Sequence, residues 1–288
     1  MKPKISVVIP LYNKETSISK TIDSVLAQEF KDFEIVIVND GSTDNSLQVL
    51  EEINDERIRL FSKENGGVSE ARNYGVMHAT GEWIFFLDAD DDLYNNCLSV
   101  FYNLIQDYPE HKFFTANYIA KYPDGKEVVC CSGKKRGVVN NPFKSVWQRN
   151  VFPRMGSMLI KKEAFLQKGA FRKECVVWED LESVLNLLVC NALVYDPTIV
   201  FIHNLEHNEL SQKLKPLEKE YAFYVELGKT TNLYHKLILL ELLVRTEHKR
   251  QEIGDEQAAD LMSKKIGMGK PLLFLGKTER YLLKHLRQ

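Results

Sequence analysis

The sequence predicts an α/β fold: a mostly parallel sheet flanked by helices, followed by a helical C-terminal extension. Three observations carry that prediction. Short apolar runs rich in β-branched and aromatic residues alternate with stretches whose apolar residues recur at helical spacing. The first four runs each lead into a polar loop, and strand–loop–helix alternation is how parallel sheets are built. From Pro216 onward the pattern turns wholly helical.

Taken in order, Ser6-Val7-Val8-Ile9 is a continuous apolar run closed by Pro10, which reads as a buried strand. Thr16 and Ser17 are candidate caps for a helix whose Ile18, Ile22, Val25 and Leu26 share one face. Residues 34–38 form a second strand that ends in the turn Asn39-Asp40-Gly41-Ser42, and a helix follows through Leu47, Leu50 and Ile53. Residues 58–61 are a third strand, Asn65-Gly66-Gly67 a loop, 68–78 a third helix and 83–87 a fourth strand. After an acidic run, 93–106 reads as a helix. Residues 113–118 and 127–131 read as strands around the turn Pro123-Asp124-Gly125. The stretch 140–156 is irregular and aromatic, and 157–160 is another strand. Trp178-Glu179-Asp180 opens a helix through Leu181, Val184, Leu185 and Leu188. Residues 193–195 and 199–202 read as two strands split by Asp196-Pro197.

Composition excludes several classes. With 38 Lys and Arg against 40 Asp and Glu, the formal net charge is −2, and nothing in it points to nucleic acid. No segment approaches the roughly 20 apolar residues of a membrane helix, and 237–244 is short and contains Glu241. No signal peptide is visible. The five cysteines show no CxxC spacing, which fits reduced thiols in a cytoplasmic protein.

The chemistry is expected where the loops converge, because ligands of such sheets sit beyond the carboxyl ends of the strands. The run Asp88-Ala89-Asp90-Asp91-Asp92 follows the fourth strand directly. Strand alternation puts Asp88 and Asp90 on one side, where two carboxylates call for a cation between them. Hard divalent ions take oxygen ligands and arrive with substrate phosphates, so a metal–diphosphate site is the first expectation. The competing reading is an acidic helix cap. Asp40 can accept from a base or ribose, and Gly41 permits a tight turn; a simple Asx turn explains the same residues. Arg72 is placed either to meet a diphosphate or to brace the acidic loop, and a surface salt bridge is the alternative. No GxGxxG follows the first strand, which disfavours a dehydrogenase.

Together the motifs resemble those of the family 2 glycosyltransferases. The matching stretches are Val7-Val8-Ile9-Pro10-Leu11-Tyr12-Asn13, Val38-Asn39-Asp40-Gly41-Ser42, Glu64-Asn65-Gly66-Gly67-Val68-Ser69-Glu70-Ala71-Arg72-Asn73 and Leu87-Asp88-Ala89-Asp90-Asp91. The resemblance covers about the first hundred residues closely and continues more loosely to about Ser211. It implies a GT-A fold, a nucleotide-sugar donor that is UDP-linked by family frequency, and Mn²⁺ or Mg²⁺. By position, Pro10, Tyr12, Asp40 and Gly41 would line the nucleoside pocket, with Asn65 and Arg72 supporting the nucleotide. Asp88 and Ala89 would face the ribose or donor sugar, and Asp90 would bind the metal. The Glu179-Asp180 pair would supply the catalytic base, assigned to Asp180. His203 and His207 are two candidates for a further metal or diphosphate contact.

The implied organisation is a transferase domain at 1–213, with a nucleotide-binding half at 1–95 and an acceptor-binding half at 96–213, and a helical region at 214–288. The implied activity is inverting transfer of one sugar to a glycan or lipid-linked acceptor in bacterial surface polysaccharide or glycan assembly. The Gln-x-x-Arg-Trp motif of the processive synthases is absent. A nucleotidyltransferase and an inactive sugar-nucleotide-binding module are the alternatives. The tail from Leu261 to Gln288 carries seven Lys or Arg and one acid, Glu279. It reads either as a peripheral contact with the inner face of the membrane or as a packed helix with a solvated basic face.

Overall fold

The computed structural model describes residues 3–205 and 215–285. Ten strands form one sheet: β1 (Ile5–Leu11), β2 (Phe33–Asp40), β3 (Ile58–Lys63), β4 (Trp83–Phe86), β5 (Asp92–Leu93), β6 (Phe113–Lys121), β7 (Glu127–Val129), β8 (Gly137–Val138), β9 (Met158–Lys161) and β10 (Leu193–Asn204). The order is β3-β2-β1-β4-β9-β6-β10-β5, with β7 on β6 and β8 on β10. The first four strands in that order are mutually parallel. β9 then enters antiparallel between β4 and β6, and β6 and β10 run parallel again.

The N-terminal half follows its sequence pattern closely. β2 is buried at every position, as a central parallel strand covered on both faces must be. Helices α1 (Ile18–Leu26), α2 (Ser46–Glu51) and α3 (Val68–His78) follow β1, β2 and β3. α3 lies very close to the sheet. A Cβ on Gly75 would stand 2.4 Å from Val8 Cγ1, so only glycine allows this approach.

Three differences from the sequence-based expectation have physical causes. The fourth strand stops at Phe86, and the acidic run enters a turn in which Asp91 N donates to Asp88 O at 3.2 Å. The alternation argued for Asp88 and Asp90 therefore does not apply. The helix expected from 93 begins later, as α4 (Cys97–Asp107), because Asp92 and Leu93 pair antiparallel with Ile202 and Phe201 of β10. The two strands expected at 193–202 are one, and the break at Asp196-Pro197 survives as a register shift between Asp196 and Ile199. A proline lacks the N–H the ladder needs, and a bulge absorbs it.

The irregular stretch contains a short helix, α5 (Pro142–Trp147). Asn141 caps it by accepting from Lys144 N at 3.0 Å, and proline holds its first turn. α6 (Glu179–Cys190) packs against the turn at residues 165–169, where Ser183 Oγ donates to the Gly169 carbonyl at 2.5 Å and a Cβ on Gly169 would meet Leu187 at 2.8 Å. The C-terminal region consists of α7 (Leu233–Glu252), α8 (Glu256–Ile266) and α9 (Gly269–His285). α9 packs on α7, where a Cβ on Gly276 would meet Leu237 at 2.8 Å and Leu273 is buried. Phe274 and Leu275 face solvent. Part of the tail is thus packed on the domain, and an exposed apolar pair is left on α9. No described helix is long and apolar enough to cross a membrane.

Candidate active site

The ends of β1, β2 and β4 and the start of α3 meet at one edge of the sheet. Asp40 closes β2 and is buried. Its Oδ1 accepts from Gly66 N at 2.9 Å and from Lys63 Nζ at 2.8 Å, and its Oδ2 accepts from Gly67 N at 2.7 Å. The loop that carries Asn65 is thus tied to the end of β2. Gly41 and Gly67 both hold left-handed backbone, at φ +73° and +89°, and the Asn65 backbone nitrogen lies 3.0 Å from where a Gly41 Cβ would stand. Asn65 and Tyr12 are exposed on this rim, with Pro10 half-buried beside them.

The acidic turn gives each carboxylate a different partner. Arg72, on α3, is buried and donates to Asp88 Oδ1 at 2.7 Å and to Glu179 Oε1 at 2.9 Å, with its guanidinium over the Phe171 ring. Lys14, just past β1, donates to Asp90 Oδ2 at 2.6 Å. Asp91 is buried, accepts from Asn204 N at 2.8 Å and lies 3.3 Å from His203 Nδ1. Asp92 pairs with Lys20 and accepts from Asn204 Nδ2 at 3.0 Å. Ser17 Oγ donates to the Ala89 carbonyl at 2.9 Å, which fixes the turn against α1.

The electrostatics follow from burial and these pairs. Burial pushes Asp88 up, but Arg72 outweighs it and holds the carboxyl below its ordinary range. Burial pushes Asp91 up, to about 6. Burial and then the neighbouring Asp180 raise Glu179 above its ordinary value, with Arg72 opposing. Burial works against the charge of Arg72, yet Asp88 and Glu179 more than offset it and keep the guanidinium protonated.

Glu179 and Asp180 open α6, and Asp180 Oδ1 accepts from Leu181 N at 2.8 Å. Arg72 therefore joins the acidic turn to this helix start, whose Glu179 lies 107 residues beyond it in the chain. The structure adds two cations that sequence reasoning did not assign. Lys14 is one. The other is Arg154, whose charge acts on Asp180, Asp91 and Asp88. Its loop is pinned by Gly156 N donating to Phe86 O at 2.7 Å, at the very end of β4. The usable sequence signal was Gly156 itself, which holds φ +83° with Phe201 packed where a Cβ would be.

His203 sits on β10 against Asp91 rather than Asp90, and His207 lies outside the described residues. Among the described residues, no group of three or more His, Cys, Asp or Glu side chains is arranged to hold a metal ion.

A mostly parallel sheet with helices packed against it and its loops gathered at one edge places the chain in the doubly wound class of α/β folds. Within that class the chain belongs to glycosyltransferase family 2, whose sequence profile matches residues 6–171. It is 40% identical over 107 residues to the glycosyltransferase GlyA of Streptococcus pneumoniae, covering 36% of this chain and 15% of that protein. It is 29% identical over 194 residues to an uncharacterised glycosyltransferase of Rickettsia felis, covering 62% of this chain and 30% of that one. A match to the chondroitin synthase of Pasteurella multocida, 45% identical over 93 residues, covers 32% of this chain and 10% of the synthase. The chain thus spans less than a third of the length of each of these relatives. Among solved structures, Staphylococcus aureus TarS 1–349 in complex with UDP-GlcNAc has a TM-score of 0.69 at 22% identity, covering 96% of this chain and 80% of that one. The same protein in complex with UDP has a TM-score of 0.63 at 20% identity, covering 82% and 65%. The GT-A type of α/β fold, with its helical C-terminal region, is therefore the one observed.

Proposed function

We propose that this chain transfers one glycosyl group from a nucleoside-diphosphate sugar, UDP-linked, to an acceptor hydroxyl in bacterial polysaccharide or glycan assembly. The observation that carries the reading is the Arg72 bridge, 2.7 Å to Asp88 and 2.9 Å to Glu179. It joins the loop expected to face the donor to the turn expected to hold the base. Pro10, Tyr12, Asp40, Gly41 and Asn65 form the nucleoside side of the site, and Asp88 with Ala89 the donor-sugar side. Complexes of TarS with UDP and with UDP-GlcNAc support a uridine nucleotide as donor. Residues 1–95 serve the donor, 96–213 the acceptor, and 214–288 form the helical region.

A divalent cation, Mn²⁺ or Mg²⁺, fits this rim. Such ions keep several waters and bind through one or two carboxylates plus substrate phosphates, so a three-residue cage is not required. Asp90 is the residue that would hold it, in exchange for the Lys14 ammonium on its Oδ2; His203 faces Asp91 and would reach such an ion only by leaving that partner. Its chemistry would be neutralisation of the charge that develops on the leaving diphosphate.

Asp180 takes the proton of the acceptor hydroxyl as its oxygen attacks the anomeric carbon. The bond from that carbon to the diphosphate oxygen breaks with its electron pair going to the diphosphate. One displacement inverts the centre, and no sugar becomes attached to the protein. Asp180→Asn should leave calorimetric UDP binding intact and lower turnover by about 10²–10⁴-fold. Near-normal turnover would remove Asp180 from the role.

A further inference from the structure

Residues 175–177, just ahead of the Glu179-Asp180 turn, belong to no strand of the sheet and are held from two sides. On one side Ser69 Oγ, at the start of α3, donates to the Cys175 carbonyl at 2.7 Å. On the other, Val176 N donates to the Lys219 carbonyl at 2.8 Å and Tyr221 N donates to the Val177 carbonyl at 2.9 Å, so Val177 and Glu220 pair as a parallel bridge. The chain then turns sharply. Trp178 stands in left-handed backbone at φ +65° and ψ +22°, and α6 begins at the next residue with no side-chain cap. Bulky residues avoid that region, and one persists there only where its surroundings over-determine it.

The segment 219–221 is itself fastened from the C-terminal region. Arg250, near the end of α7, is 2% exposed, and so is Glu220. Arg250 Nη2 donates to Glu220 Oε1 at 2.6 Å and to the Lys215 carbonyl at 2.6 Å. Its Nη1 donates at 3.0 Å to Asp255 Oδ2, from the residue that caps α8.

We propose that Arg250 is a positioning residue for the transfer: through Glu220 it sets the backbone of 175–178, and thereby the direction in which Glu179 and Asp180 leave it. This rests on the transfer reading above, in which Asp180 takes the acceptor's proton. Arg72 grips the Glu179 side chain, whereas the Val177–Glu220 bridge grips the main chain two residues earlier. The turn is thus held at two points and cannot pivot about either. A buried ion pair adds little net stability, because desolvating both charges offsets their attraction; what it supplies here is one fixed arrangement. The planar fork of arginine suits that task, since it holds Glu220 and the Lys215 carbonyl in a single relative position. The helical C-terminal region is in this way a support of the proposed base.

The test takes the full chain and three variants: Arg250→Lys, Arg250→Met, and Arg250→Met combined with Glu220→Leu. Arg250→Met strands the Glu220 charge and should lower the melting temperature, and adding Glu220→Leu should restore most of it. Position should not return with stability. In both methionine variants, amide exchange at Val176 and Tyr221 should quicken by about tenfold or more. Trp178 is 39% exposed while Trp83 and Trp147 are each 2% exposed, so acrylamide quenching of the fluorescence reads Trp178 and should change in the same variants. Release of UDP from UDP-GlcNAc should fall by about 10–10²-fold in kcat, with the donor KM and calorimetric UDP affinity unchanged. Arg250→Lys keeps the charge without the fork and should fall between. Should Arg250→Met not fold, the other two variants carry the comparison. The role is overturned if the double variant regains exchange protection and turnover along with its melting temperature, or if exchange and quenching in the variants match the wild type. A wild-type protein that neither binds UDP nor releases it from UDP-GlcNAc sinks the transfer reading, whereas exchange and quenching still decide whether Arg250 sets this turn.

Discussion

Replacing Arg72 with methionine tests the bridge that the proposed site depends on. The guanidinium is 4% exposed and has two carboxylate partners, Asp88 at 2.7 Å and Glu179 at 2.9 Å. Methionine keeps most of the stem but leaves Glu179 buried without its counter-charge. Removing one partner of a buried ion pair costs about 3–5 kcal/mol. Asp88 is more exposed and adds little, and losing the contact over Phe171 adds about 0.5–1 kcal/mol. At 2–4 °C per kcal/mol for a large domain, the melting temperature should fall by on the order of 10 °C near neutral pH.

The sign with pH is also set. Glu179 already titrates above its ordinary range through burial and Asp180, and loses its opposing cation in the variant. A carboxyl raised in the folded state contributes stability below its unfolded pKa and loses it as pH rises through the folded value. Asp88 acts in the same sense: Arg72 holds it low in the wild type, and that stabilisation fades as pH falls through its folded value. The gap between variant and wild type should therefore be widest at about pH 8 and narrower at about pH 5, followed by circular dichroism. Melting curves that coincide at the higher pH, or a gap that widens on acidification, would refute the bridge as described.

Asp90→Ala should abolish any strengthening of UDP binding by Mn²⁺ in calorimetry; an undiminished metal effect would count against Asp90 as the cation's holder. Gly75→Ala should cost about 1–3 kcal/mol, because the new Cβ meets Val8 Cγ1 at 2.4 Å and α3 must move off β1. A urea midpoint equal to the wild type's would contradict that. If the exposed strip of α9 meets a membrane surface, replacing Phe274 and Leu275 together by glutamate should reduce sedimentation with anionic vesicles, and equal pelleting would argue against the contact.

Much of the first hundred residues was legible because β1, β2 and β4 are buried along nearly their whole length and read as apolar runs, while only β3, at the sheet edge, is part-exposed. α3 spans Val68–His78, the same bounds its sequence pattern predicts. What lay beyond reach was set by partners far along the chain. Nothing local says that β9 should slip antiparallel between β4 and β6, or that Asp92 and Leu93 should be taken by β10 before α4 can begin. The site divides in the same way. An acidic run at the end of a strand stands out in any sequence, so its carboxylates were found. Arg72 was named as a brace for the acidic loop, but its second partner Glu179, 107 residues on, was not, and Lys14, 76 residues from Asp90, was not found at all.

That division explains why a helix-cap reading of the acidic run falls short. A cap would aim its carboxylates at one helix end. Here the turn sends them apart: Asp88 to α3, Asp90 to the loop after β1, Asp91 to the end of β10 and Asp92 to α1. Four separate elements are tied to one turn by charges that are mostly buried. The groups proposed to handle the donor are thus the same groups that hold the sheet edge together. Substitutions there should change stability and donor binding in step, whereas Asp180, whose Oδ1 is engaged by the Leu181 N–H of its own turn, should separate the two.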